Sequence, residues 1–177
     1  WLMIHVAIIT ASYGFLALGA ILGFINLVLM ILQNKVNRKR INNSISELTY
    51  INEMSITVGL FLLSIGTFLG GIWANESWGR YWGWDPKETW AFASMLCYIF
   101  VLHLRFIPKL KSAFVFNFAS LAAYGSIIMT YFGVNFYLSG LHSYATGDPM
   151  PIPTFVYYTI AIVFVVTTIA YFNQKRL

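Results

Sequence analysis

The sequence predicts an all-α protein, a polytopic membrane helix bundle with about five transmembrane helices. Of its 177 residues, 59% are hydrophobic and only 10% are charged, whereas soluble domains carry roughly a quarter charged residues. Five apolar segments approach or exceed the roughly 20 residues that cross a bilayer. The two-residue alternation of strands is missing, and only helices and closed barrels can span a membrane.

The five predicted helices are separated by polar connections. The first is Leu2–Leu32, and the others cover residues 56–74, 89–107, 113–138 and 154–172. The first and fourth segments are long enough to tilt or to project from the bilayer. Together they predict a single membrane domain over residues 1–177.

Lysine and arginine residues predict the orientation of this domain. Helix parity places nine of the eleven on one face, which is the cytoplasmic face by the positive-inside rule. Only Arg80 and Lys87 lie opposite. The N-terminus is therefore expected outside and the C-terminus in the cytoplasm. Because the basic residues cluster in short loops, topology explains the net charge of +5, and no nucleic-acid partner is expected.

Three connections follow from this topology. They are a cytoplasmic basic loop at residues 33–54, an external tryptophan-rich loop at 73–90 and an external histidine-containing loop at 139–153. Small residues spaced four apart, Gly19 with Gly23 and Gly66 with Gly70, predict close helix approach. Polar residues at membrane depth, Asn26, Asn117 and Asn135, predict hydrogen bonds between helices.

The stretch WGRYWGWDPKETW, residues 78–90, holds four of the six tryptophans. Tryptophan gathers at membrane interfaces in any case, so one interpretation is an aromatic belt. The other is a platform, because indole rings offer broad apolar faces for a flat ligand. Independently, Asp85, Pro86 and Glu88 fit the N-cap, first position and third position of a helix with a capping box. Both interpretations of the tryptophans are compatible with that cap.

The positions of the histidines favour a binding site for a flat metallocycle. His5, at the outer end of the first helix, and His142, in the outer loop, share a face with the tryptophan stretch. Alone, each is typical of an interfacial side chain, but two imidazoles complete the coordination of haem iron. Arg80 and Lys87 would then pair with the two propionates. His103 lies roughly 20 Å deeper, and an ionisable residue inside the membrane is a functional candidate.

The motif W-G-x-x-W-x-W-D-P-K-E-T-W, preceded by G-x-x-W-A and followed by Leu102-His103-Leu104-Arg105, resembles the WWD signature of haem-handling proteins. Within that superfamily, DPKETW is similar to the CcsA (ResC) branch, the cytochrome c biogenesis proteins of system II. Ile4-His5-Val6 and Leu141-His142-Ser143-Tyr144-Ala145 resemble the flanking histidine motifs of the same branch. The resemblance covers nearly the whole chain.

The resemblance implies a role for each matching residue. His5 and His142 would ligate the iron of haem b at an external site, and His103 would ligate it at a transmembrane site. The residues matching the cradle of the external haem are Trp78, Gly79, Trp82, Trp84, Asp85 and Glu88. Members usually have further helices before the His5 region, and this chain begins at Trp1 without a signal-peptide pattern, so we expect it to start inside a longer chain.

The implied function is cytochrome c maturation in the bacterial cytoplasmic membrane. The chain would be a holocytochrome c synthase component that presents haem for attachment to the Cys-x-x-Cys-His motif of apocytochrome c. Its expected partners are a CcsB (ResB) protein, fused or separate, the apocytochrome, haem and membrane lipid. It would supply no nucleophile, because the attacking thiols belong to the apocytochrome. The alternatives are a membrane b-type cytochrome that keeps its haem, and a transporter or scaffold without a catalytic role.

Overall fold

The computed structural model describes residues 1–141 and 151–176. Six α-helices occur there: α1 (Leu2–Leu32), α2 (Arg38–Trp78), α3 (Pro86–His103), α4 (Ala113–Ile128), α5 (Val134–Tyr137) and α6 (Thr154–Arg176). A 3₁₀ turn, Leu104–Phe106, extends α3, and a π-helical turn, Met129–Gly133, joins α4 to α5. No strand occurs in the described part of the chain.

The predicted fold class is confirmed. Five helical segments are long and apolar enough to cross a membrane, with α4, the π turn and α5 forming one of them over Ala113–Tyr137. The chain is therefore an integral membrane protein, and its segment boundaries lie close to the predicted ones everywhere except in α2. Which end of the bundle faces outward remains a prediction.

The predicted basic loop at residues 33–54 is wrong over most of its length, because α2 begins at Arg38. Its 41 residues make a helix about 60 Å long, twice the hydrocarbon core of a bilayer. Ile41, Ile45, Leu48 and Asn52 follow one another at helical spacing and are buried or half-buried. No Gly or Pro interrupts residues 35–58, so this polar stretch continues the helix instead of ending it.

Glycines bring α1 close to its neighbours, as predicted. A Cβ atom at Gly66 would lie 2.6 Å from Ile9 Cδ1, and one at Gly19 would lie 2.8 Å from Ile56 Cγ1, so both close contacts join α1 and α2. A Cβ at Gly23 would lie 2.6 Å from the Asn117 carbonyl oxygen of α4. Helix α1 is therefore central, with α2 and α4 packed directly against its backbone.

Buried amides join the same three helices. Asn26 Nδ2 donates to Asn117 Oδ1 at 2.9 Å, and Asn52 Nδ2 donates to the same oxygen at 3.0 Å. All three asparagines are fully buried. Hydrogen bonds between helices, predicted for Asn26 and Asn117, are thus confirmed. Helix α6 packs on α1 more loosely, with Asn173 Nδ2 donating to the Met30 carbonyl at 2.8 Å.

The orientation predicts how introduced thiols will react. In a Cys97→Ala background, a cysteine at Ser77, which is exposed in the last turn of α2, should react with an impermeant maleimide added outside intact cells. A cysteine at Asn43, exposed near the other end of α2, should react only after permeabilisation. Labelling in the opposite order would overturn the orientation.

Candidate functional site

The tryptophan-rich connection is a tight turn between two helix ends. Helix α2 ends at Trp78, and Gly79 caps it in the left-handed conformation (φ 71°), with its N–H bonded to the Asn75 carbonyl at 2.9 Å. The Trp78 ring packs edge-on against Trp73, with centroids 4.8 Å apart. The structure therefore places Trp78 and Gly79 at the end of the helix, where they fix the start of the turn.

The other end of the turn carries the predicted capping box. Asp85 is the N-cap of α3, its side chain accepts from the Lys87 N–H at 3.2 Å, and Pro86 follows it in the first turn. Glu88 Oε2 reaches back to accept from the N–H groups of Gly83 at 2.8 Å and Asp85 at 3.2 Å. Glu88 thus holds the backbone of the turn as well as capping the helix.

Trp84 carries the backbone strain of the turn. It is the one non-glycine residue with positive φ (57°) in the described part of the chain, a conformation that costs a bulky side chain free energy and is concentrated at functional sites. Its ring meets Trp82 edge-on, with centroids 5.8 Å apart and planes at 90°. The two rings therefore make contact but are perpendicular, and they do not form one flat surface.

His5 is oriented by the neighbouring helix. Its Nδ1 lies 2.7 Å from the Gly66 carbonyl oxygen. Because a carbonyl only accepts, Nδ1 carries the proton in this bond, so a neutral imidazole here has its lone pair on Nε2. This arrangement orients many metal-ligating histidines. A Cβ at Gly70 would lie 2.6 Å from His5 Cε1, so the missing side chain of Gly70 accommodates the imidazole.

His5 and the tryptophan turn line one cavity of about 310 Å³ between α1, α2, α3 and the π-helical turn. Its aromatic and polar walls include His5, Tyr13, Trp73, Tyr81, Trp82, Lys87, Glu88, Tyr131 and Asn135. Residues that are distant in sequence therefore meet at one end of the bundle, as the shared-face argument predicts.

A second cavity of about 500 Å³ lies beside the first and is almost entirely apolar. It is bounded by Phe68, Ile72, Trp84, Phe92 and Met95. Trp82 and Tyr81 line both cavities. Trp82 therefore lies between the cavity lined by His5 and the apolar cavity.

Two buried donors of the tryptophan turn have no hydrogen-bond partner among the described residues, Arg80 Nη1 and Trp82 Nε1. The Arg80 guanidinium folds back over Gly83, where any side chain at residue 83 would collide with it. Among the described residues the nearest carboxylate oxygen is Glu88 Oε2, 4.0 Å from Nη1. Buried donors left in this state favour an anionic or carbonyl ligand, since an unmade hydrogen bond is costly.

Lys87 faces the interior of the bundle. Its Nζ donates to Asn135 Oδ1 at 2.9 Å and lies 5.8 Å from the centre of the Tyr131 ring. Asn135, predicted to bond between helices, does so here. Lys87 thus supplies a positive charge to the wall of the His5 cavity.

The chain leading to His142 reaches the same turn. Leu141 N donates to Asp85 Oδ1 at 2.6 Å. His142 and most of the predicted loop at residues 139–153 lie outside the described residues, so the structure does not test His142 as a ligand.

Comparison with known proteins identifies the family of this chain. The model of the family described as cytochrome C assembly protein matches residues 1–142, which is most of the chain and includes the whole tryptophan turn. The chain belongs to this cytochrome c assembly family. Its resemblance to the CcsA branch is confirmed by relatives that carry that name.

Individual members of the family show the same relationship. Protein NrfI of Wolinella succinogenes is 57% identical over 151 residues, covering 85% of this chain and 17% of that protein. The cytochrome c biogenesis protein CcsA of Chlamydomonas reinhardtii is 38% identical over 146 residues, covering 81% and 40%. CcsA of Prochlorococcus marinus strain MIT 9515 is 37% identical over 166 residues, covering 81% and 53%. The chain thus spans about half or less of these relatives.

His103, a predicted haem ligand, lies apart from the predicted site residues of the tryptophan turn. It is the last residue of α3, exposed on the surface of the bundle, with Nδ1 2.7 Å from the Ile99 carbonyl and its ring 5.7 Å from Phe106. Across the described residues, no group of three or more His, Cys, Asp or Glu side chains is placed to hold a metal ion. Any site at His103 would therefore face outward from this bundle.

Sequence reasoning missed several residues of the site in this assembly-family chain. Tyr13, Thr130 and Tyr131 line the His5 cavity, and the last two belong to the π-helical turn. Such turns are often found at functional sites, but no sequence pattern announces them. Tyr81 belongs to the tryptophan motif only as an unspecified position, although it lines both cavities.

Proposed function

We propose that this chain is the haem-presenting part of a cytochrome c maturation protein. It would hold haem at the tryptophan turn and present it for covalent attachment to the Cys-x-x-Cys-His motif of apocytochrome c. Haem is cargo in this proposal and leaves with the product. Relatives named for cytochrome c biogenesis support the pathway, and the site supports the cargo.

The observation that carries the proposal is the convergence of His5, Trp82 and Lys87 on one cavity. The buried donors Arg80 Nη1 and Trp82 Nε1 belong to the same tryptophan turn. Haem needs an imidazole for its iron, apolar ring surface for its macrocycle and cationic or N–H donors for its carboxylates. These residues fit all three requirements. A site for a small polar substrate would not need so much aromatic surface.

The residues of the chain would act by positioning. His5, with its Nδ1 proton held by Gly66, would offer Nε2 to the iron, and His142 is the proposed second ligand. Trp82, Trp84, Asp85 and Glu88 would fix the turn, and Arg80 and Lys87 would hold the propionates. In the reaction each cysteine S–H of the apocytochrome adds across one haem vinyl group, so sulfur bonds to one carbon and the proton goes to the other. Holding reactants in place contributes much of such a rate.

The remaining assignments belong to the same proposal. The chain would lie in the bacterial cytoplasmic membrane with the tryptophan turn outside, and it would act with a CcsB (ResB) partner as a holocytochrome c synthase. His103, exposed at the other end of α3, would bind haem on its way from the cytoplasmic side. Its outward-facing position suits a ligand shared with another segment or subunit.

Co-expression with an apocytochrome c and the CcsB partner tests the proposal. We expect haem that stays attached to the apocytochrome on a denaturing gel and stains for peroxidase activity. Omitting the chain, and replacing both substrate cysteines with alanine, are the matched controls. Haem retained by the chain without a covalent product would favour a b-type cytochrome. Absence of both haem and product would favour a scaffold.

A further inference from the structure

We propose that Asp85 is a positioning residue for the segment that carries His142, in addition to capping α3. The inference rests on the proposed haem function, because that function makes the place of His142 important. It concerns the described residues Asp85, Pro86, Gly140 and Leu141.

The two oxygens of the Asp85 carboxylate accept hydrogen bonds from two different segments. Oδ2 accepts from the Lys87 N–H at 3.2 Å and caps α3, while Oδ1 accepts from the Leu141 N–H at 2.6 Å. The residue is 6% exposed. A capping aspartate needs only the first bond. The second bond joins the tryptophan turn to a segment 56 residues away in sequence.

Gly140 allows this second bond to form. A Cβ on residue 140 would collide with Asp85 Oδ1 and lie 2.8 Å from Pro86 Cδ. Since the proline ring is part of the start of α3, it cannot swing away as a flexible side chain would. Any larger residue at position 140 would therefore push the segment off the carboxylate.

The hydrogen bond to Leu141 is important because Leu141 directly precedes His142 in the sequence. Consecutive Cα atoms are about 3.8 Å apart, so the chain itself limits how far residue 142 can lie from a held Leu141 N–H. One carboxylate thereby connects the turn that carries Trp82 and Trp84 to the segment that precedes His142. Residues that orient a metal ligand without contacting the metal typically change its affinity by about 10- to 100-fold.

Two variants separate the hydrogen bond between Asp85 and Leu141 from the N-cap of α3. Asp85→Asn keeps a good N-cap, but its amide offers only one acceptor oxygen, so it cannot serve both α3 and Leu141. Gly140→Ala leaves the carboxylate intact and displaces the segment. We expect about tenfold less haem per folded protein in both variants, with normal protein level and partial recovery in added imidazole. Gly125→Ala is the matched control, because a Cβ there meets nothing within 4 Å.

His142→Ala, measured alongside, distinguishes a failure of the positioning role of Asp85 from a failure of the assignment of His142 as a ligand. If it loses haem while Asp85→Asn and Gly140→Ala keep wild-type haem, the positioning role is overturned and the proposed function stands. If His142→Ala also keeps wild-type haem and cytochrome yield, the ligand assignment fails, and the positioning role fails with it. Should Gly140→Ala accumulate poorly, Asp85→Asn decides the question, because its cap is retained.

Discussion

Replacing His5 with alanine is expected to lower the yield of covalent cytochrome c by at least about tenfold, since even partners that only orient a metal ligand change affinity by this much. His5 lines the cavity of about 310 Å³ beside the tryptophan turn, and its Nδ1 is held 2.7 Å from the Gly66 carbonyl. The variant removes the imidazole that is held there. The measurement is peroxidase stain of the apocytochrome band, divided by the amount of the chain in the membrane.

Added imidazole should partly restore the yield of His5→Ala. A free imidazole fills an empty axial position without needing the lost backbone anchor, whereas it cannot repair a misfolded bundle. A yield at the wild-type level in His5→Ala without imidazole would sink the assignment of His5 as a ligand.

A second variant moves the imidazole without deleting it. Gly70→Ala places a methyl group where His5 Cε1 lies 2.6 Å away, so the ring must shift from its hydrogen bond with Gly66. We expect a smaller loss of covalent product than in His5→Ala, again with partial rescue by imidazole. Gly14→Ala, in α1, is the matched control because a Cβ there meets nothing within 4 Å. Equal yields in the two glycine variants would mean that the position of the ring is unimportant.

The parts of this fold that the sequence predicted well depend on patterns within short stretches of the chain. The apolar runs identified five membrane segments, and the order Asp85-Pro86-Lys87-Glu88 identified a capping box that the structure contains. The Gly66 and Gly70 pair predicted a close approach, and the structure shows that His5 and Ile9 fill it. Each of these signals acts within a few residues, so one sequence suffices to interpret it.

The parts that were missed depend on contacts between distant segments. Residues 38–54 are polar enough to resemble a loop, yet Ile45 and Asn52 bury one face of them against other helices. The bond between Asp85 and Leu141 joins two connections, and nothing in either stretch alone points to it. Likewise the perpendicular contact of Trp82 and Trp84 follows from the left-handed backbone at Trp84, which favours glycine and is seldom predicted for tryptophan.

The structure also changes how the result of Asp85→Ala is interpreted. From the sequence this variant serves as a folding control, because losing an N-cap costs about 0.5–2 kcal/mol. Asp85 also holds Leu141, so the alanine variant removes two features together. Its predicted result, lower protein level and lower haem, stays the same but no longer separates stability from binding.

Tryptophan variants distinguish a haem platform from an aromatic belt, and Trp82→Ala should have the larger effect of the two central ones. Trp82 lines both cavities, whereas Trp84 lines only the apolar one and is 68% exposed. Ring contacts contribute about 1 kcal/mol beyond the apolar area that they bury, which corresponds to roughly fivefold in affinity. We therefore expect at least about a fivefold loss of haem per folded protein in Trp82→Ala and a smaller loss in Trp84→Ala.

Trp1→Ala is the matched control for both. Trp1 is an exposed tryptophan directly before α1, at the end of the bundle that carries His5, and it lines neither cavity. A belt would make all three tryptophans equivalent, because each would only anchor the protein at the interface, and Trp→Phe changes would preserve most of that anchoring. Haem absorbance per folded protein separates the two cases. An unchanged ratio in both Trp82→Ala and Trp84→Ala would mean that the rings form a belt and that haem binds elsewhere. A loss confined to these two positions, with Trp1→Ala normal, is the result expected of a platform.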